Sequence, residues 1–144
     1  MMALDGWSAI GEPIADRLER YANEDDGWWD KEVQYWNEDD GVRLVSFELS
    51  DLGRHIFSLI VRGKESIAGS IFNEMELMLQ ESVTREVYNL EHAWCAELLD
   101  GLYPEILDHE REGDADNVLL VSRTAEQMMG SETRVLWDRI RGLG

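Results

Sequence analysis

The side chains of this chain that could carry chemistry are its histidines, carboxylates, lone cysteine and tryptophans. His55, His92 and His109 are the three histidines, and Glu91 and Glu110 adjoin two of them. Such a set could form an open zinc or iron site on a helical scaffold, the basis of a small metal-dependent enzyme. The spacing argues against it. No two histidines stand four apart on one helix, and no His-Glu-x-x-His occurs. Glu91-His92 and His109-Glu110 are sequence neighbours, which point in different directions on a helix. This reading puts His92 and His109 on exposed helix surfaces and His55 on a strand near a sheet edge. No metal or other cofactor is expected.

Other catalytic patterns are equally thin. An acid–base pair needs one carboxylate buried and shifted, and no spacing singles one out. There is no Gly-x-Ser-x-Gly elbow. Arg62-Gly63-Lys64-Glu65-Ser66 precedes a helix but lacks the first glycine of a phosphate loop. No small-molecule substrate is evident. Cys95 is the single cysteine, which excludes an internal disulfide, and it reads as a buried small hydrophobe.

The tryptophans say more. Six are present: Trp7, Trp28, Trp29, Trp36, Trp94 and Trp137. A core of this size rarely accommodates so many. Trp28 and Trp29 are adjacent, so on a strand they face opposite ways. Trp36 falls on the strand face opposite Trp29, Val33 and Tyr35. Exposed tryptophan is enriched at interfaces. Trp28, Trp29, Trp36 and Trp94, with Ile56 and Ile60, form the candidate interface.

Charge is the strongest compositional fact. Thirty-one acidic residues face thirteen basic ones, a net of −18. Only Lys31 and Lys64 are lysines; the other basic residues are arginines. Acid excess with few lysines resembles proteins that work in molar salt. There the self-repulsion of a carboxylate surface is screened within about 3 Å. No Lys/Arg cluster exists to grip nucleic acid, so direct nucleic-acid binding is not expected. No apolar run is long enough to span a bilayer. The first residues, Met1 to Trp7, lack the basic region and apolar stretch of a secretory signal. The expected location is the cytoplasm or a virion or other assembly.

The elements that must position these residues follow from periodicity. The strongest stripe runs over 66–101: Ala68, Ile71, Met75, Leu79, Val83, Val87, Leu90, Trp94 and Leu98 recur at threes and fours. Glu74, Glu81, Arg85, Glu86, Glu91 and Glu97 lie between them, facing water. Gly101 is positioned to close this helix. Uninterrupted, it would be roughly 50 Å long, so it breaks or projects toward a partner. A first helix occupies 8–23, with Pro13 in its first turn. Residues 24–27 form a solvated turn. Three strands follow over 29–36, 42–49 and 54–62, joined by turns at 37–41 and 50–53. Val45, Phe47 and Leu49 share one face of the second. The third is apolar on both faces, as a doubly covered strand is. Pro104 opens a short helix over 105–112 that Gly113 closes. Residues 118–129 read as a helix, and Ser131 caps a last one.

The predicted fold is one α+β domain over 1–144: a three-stranded antiparallel meander packed with one long amphipathic helix and several shorter helices. The overlong helix, the doubly apolar strand and the surplus tryptophan point to protein partners or self-association. The function expected is that of a non-catalytic structural or interaction protein of a halophilic system, acting in an oligomer or larger assembly. A helix packed on a small meander also resembles the ring-forming joint proteins of tailed virions, which implies a connector role. Two alternatives are the histidine metalloenzyme and an acidic inhibitor that mimics nucleic acid.

Overall fold

A computed structural model describes residues 2–32, 45–83 and 88–142, with the side chains of 12–32, 45–81 and 93–142. Among the described residues seven helices occur, in the order α1 (Met2–Ala22), α2 (Trp28–Glu32), α3 (Val45–Val61), α4 (Glu65–Val83), α5 (Tyr88–Arg111), α6 (Ala115–Met128) and α7 (Ser131–Ile140). Among the described residues there is no strand. The described residues form an all-α fold, and the α+β meander is overturned.

Most of the second and third predicted strands, with the turn between them, is the single helix α3. Phe47 decides the point. A strand would bury Val45, Phe47 and Leu49 together. Val45 and Leu49 are buried, but Phe47 is 49% exposed, as expected when a position two residues on falls across a helix. The buried set Val45, Leu49, Leu52, Ile56, Leu59 and Ile60 runs at threes and fours. The stretch at 54–62 is apolar on several sides because α3 is surrounded, touching α1, α4, α5 and α6. The first predicted strand begins in α2, and its remainder lies outside the described residues. The resemblance to virion joint proteins rested on the meander and falls with it.

The expected long helix is two helices. α4 ends at Val83 and α5 begins at Tyr88. Both pack on α1, α3, α6 and α7, so they flank one core and do not form a projecting rod. α5 runs through Gly101 and Pro104 to Arg111, so neither residue marks a helix boundary. Gly101 has a different task. A Cβ there would stand 2.0 Å from the Ser50 carbonyl oxygen, and a Cβ on Gly53 would stand 1.9 Å from the Leu98 carbonyl oxygen. The two glycines face the opposing backbones at the α3–α5 crossing, the most extensive helix pairing of the fold.

The remaining helices follow the sequence closely. α1 contains the predicted first helix but begins at Met2, so Pro13 lies inside it and not in its first turn. α7 is the predicted last helix, with Gly130 and not Ser131 at its cap, and residues 118–128 lie in α6. α3 and α5 end alike. Gly63 (φ 77°) and Gly113 (φ 83°) take the left-handed conformation. Lys64 N–H bonds the Leu59 carbonyl, Gly63 N–H bonds that of Ile60, and Asp114 and Gly113 repeat the pattern on His109 and Glu110. This is the paired six-to-one and five-to-two closure that glycine favours. One cluster of buried side chains draws on all seven helices, and Cys95 is among them. No described helix is long and apolar enough to cross a membrane.

Candidate functional site

The most densely built polar cluster forms where the α1–α2 turn meets α3 and the α3–α4 turn. Asp26 and Gly27, both with positive φ, turn the chain beside Asp25. The Asp25 carboxylate is 5% exposed. Its Oδ1 accepts from Lys64 Nζ at 2.5 Å and from the Arg62 guanidinium at 3.1 Å. Its Oδ2 accepts from Arg62 at 2.7 Å and from His55 Nε2 at 2.8 Å. Arg62 also donates through Nε to Ser58 Oγ at 2.9 Å. The Gly63 closure carries Arg62 and Lys64 on either side of the turn, which lets both reach one carboxylate. Trp28 lies flat on His55, with ring centroids 4.0 Å apart and planes 4° from parallel.

The electrostatics follow from this geometry. Arg62 above all, with Lys64 and His55, outweighs the cost of burial and holds Asp25 well below the usual carboxylate range. Burial pushes His55 down; Asp25 pulls it up without prevailing, and Arg62 and Lys64 add to the lowering. An ionised carboxylate only accepts, so the His55 proton sits on Nε2. Both Asp25 oxygens are occupied twice, which leaves no lone pair directed at a substrate or metal. The cluster can act as a fixed ion pair tying three segments together. It is not arranged to relay protons.

Glu76 on α4 forms a second buried anchor. Its Oε1 accepts from Thr133 N–H and Thr133 Oγ, both at 2.9 Å, and its Oε2 from Glu132 N–H at 3.1 Å and Gln80 Nε2 at 3.0 Å. A carboxylate from one helix thus caps the amino end of another, α7, where unpaired N–H groups favour a negative charge. Burial pushes the Glu76 carboxyl up, but these donors outweigh it and hold it low. Gly130 makes room, since a Cβ there would stand 2.3 Å from the Glu76 carboxyl carbon. Glu74, expected to face water, is buried and accepts from Arg17 Nε at 2.8 Å and Tyr21 Oη at 3.1 Å.

Among the described residues, the two histidines of the alternative metal site, His55 and His109, have separate partners. His55 belongs to Asp25 and lies on a helix, not a strand edge. His109 on α5 bonds Asp114 through Nδ1 at 2.9 Å, faces Glu105 through Nε2 at 3.3 Å and stacks on Phe57 at 4.1 Å. The bond to Asp114, with help from Glu105, raises its pKa. The side chain of His92 lies outside the described residues. Among the described residues no cluster of three His, Cys, Asp or Glu is arranged to hold a metal ion.

The candidate interface residues lie mostly inside. Trp29, Ile56, Ile60 and Trp94 are core side chains, 3%, 0%, 3% and 1% exposed. Trp28 is half-buried against His55 and the edge of Trp29, and Trp36 lies outside the described residues. The core also takes in Trp137. Sequence reasoning missed Asp25, Lys64 and Glu76. One signal was available: Lys64 is one of only two lysines in a strongly acidic chain, and it adjoins the glycine that closes α3. Searches against protein-family models, curated proteins and solved structures return no match to this chain.

Proposed function

We propose that this protein is a non-catalytic component of an assembly that works in concentrated salt, and that it meets its partner or a second copy of itself through the outer face of α6. The observation that carries the reading is the pair Leu119 and Leu120. They are 50% and 46% exposed on α6, adjacent large apolar side chains turned to water on a protein of net charge −18. Single exposed apolar residues are ordinary, whereas neighbouring ones mark contact surfaces more often. Two further features support a binding role over a catalytic one. Asp25 and Glu76, both buried, spend their oxygens on bonds within the fold. The surface charge favours hydration and solubility in salt, which leaves apolar contact as the cohesive force between chains.

Light scattering in molar KCl tests the reading. Wild-type protein is expected to exceed the monomer mass or to co-elute with a native partner. The double substitution Leu119→Glu, Leu120→Glu is expected to return the monomer with unchanged helicity, because both side chains already face water. A wild-type monomer that recovers no partner from its native source refutes the proposal. So does a double variant that associates as before.

A further inference from the structure

The exposed stripe of α6 is symmetric about its two leucines, with opposite charges at its ends. Val121 and Ala125 are the buried side of this helix. Asp116, Leu119, Leu120 and Arg123 are exposed, and their spacing of threes and fours puts them in one stripe on the opposite side. Asp116 stands about one helical turn before the leucine pair and Arg123 about one turn after it. Among the described residues neither of these two charges enters an ion pair or a side-chain hydrogen bond. Glu126 of the same helix, by contrast, is taken by Arg134 and Arg141.

We propose, on the reading that the outer face of α6 is the contact surface, that its occupant is a second copy of this chain. The two α6 helices run antiparallel about a two-fold axis that passes between Leu119 and Leu120. Position 116 then stands opposite position 123 of the partner copy, so the Asp116–Arg123 pair forms twice by symmetry. The four leucines gather at the axis and leave water together. A parallel pair in register would set Asp116 on Asp116 and Arg123 on Arg123, which repels. A purely basic partner would meet Arg123 and a purely acidic one Asp116. A stripe with one of each fits its own reverse. The second copy also brings a second net charge of −18, which opposes the pair at low ionic strength. At about 1 M salt the screening length of about 3 Å removes that long-range repulsion and leaves the contacts at the axis. One face of a 14-residue helix buries less than the roughly 800 Å² per partner of a standard interface. The pair is therefore weak and reversible, and is sought at about 0.1–1 mM protein.

Sedimentation equilibrium of the full chain in about 1 M KCl tests this. Asp116→Arg and Arg123→Asp are each expected to weaken self-association about tenfold, because each turns both symmetric attractions into repulsions. The two changes together exchange the signs and are expected to restore association to within about threefold of wild type. Both positions are exposed, so circular dichroism is expected to stay helical. Cysteine pairing in air reads the orientation separately. Asp116→Cys and Arg123→Cys chains, mixed, are expected to link to each other faster than either links to itself. Cys95 is buried and does not compete. Faster linkage of either variant to itself overturns the proposal, as does a double exchange that fails to restore association. A wild type that stays monomeric while a native partner binds through Leu119 and Leu120 also overturns it, and leaves α6 as the contact face with another occupant. Association that survives Leu119→Glu with Leu120→Glu overturns the contact face itself. If a charge variant does not fold, the cysteine pairing decides.

Discussion

Asp25 is covered by the cations that bind it. Arg62 and Lys64 are 41% and 36% exposed at their side chains while the carboxylate between them is 5% exposed. The cluster therefore resists salt better than an open surface pair does, because screening acts least on a covered contact. Protons are its weakness, and the two histidines respond to pH in opposite senses. His55 has a folded pKa below its ordinary 6.5. Between those values the unfolded chain binds more protons, so its contribution is full above 6.5 and declines as pH falls through that window. Asp25 follows at lower pH, losing its contribution below the ordinary carboxylate value of 3.8. His109 has a raised folded pKa; its contribution is full below 6.5 and is lost as pH rises through the folded value. A nuclear magnetic resonance titration of the imidazole rings should place the His55 midpoint below 6.5 and the His109 midpoint above it. The reverse order would contradict the partners assigned to both. Little of this was legible beforehand. Residues 25, 55, 62 and 64 share no spacing, and only the turn at Gly63 brings the last two to the first.

At the scale of the element, the sequence was read well where one stripe met one neighbour and badly where a helix is surrounded. α6, α7 and the described part of α1 each bury one side, so their periodicity is plain. α3 buries most of its circumference, and a window of five residues such as Val45 to Leu49 then satisfies a period of two as easily as one of 3.6. Glycine misled in the same way. The pattern predicts a turn at Gly53 and a helix end at Gly101, yet both lie in mid-helix where backbones meet. Their role gives a sharp comparison. Gly101→Ala pushes a methyl group into the Ser50 carbonyl and should cost roughly 3 kcal/mol or more in urea unfolding. Gly69→Ala on α4 meets only Met128 Sδ at 3.5 Å. It should be neutral or stabilise by up to about 1 kcal/mol through helix propensity. Equal effects from the two substitutions would rule out the close crossing of α3 and α5.

For the whole molecule, charge and fold divide the work. The core is apolar, and Asp25 and Glu76 each hold distant segments together. Apart from Glu48 and Glu74, which are also buried, the other described carboxylates reach water, where they repel one another at low ionic strength and are screened at high. Net charge is read from composition and needs no correct topology; the salt adaptation proposed from it rests on that charge. The most direct test of the proposed salt adaptation is thermal unfolding followed by ellipticity from about 0.1 M to about 3 M KCl, a range over which the screening length falls from about 10 Å to 3 Å or less. The account predicts a midpoint that climbs steadily with salt and a cooperative loss of helix on dialysis to the low end. A midpoint unchanged across the range would contradict it.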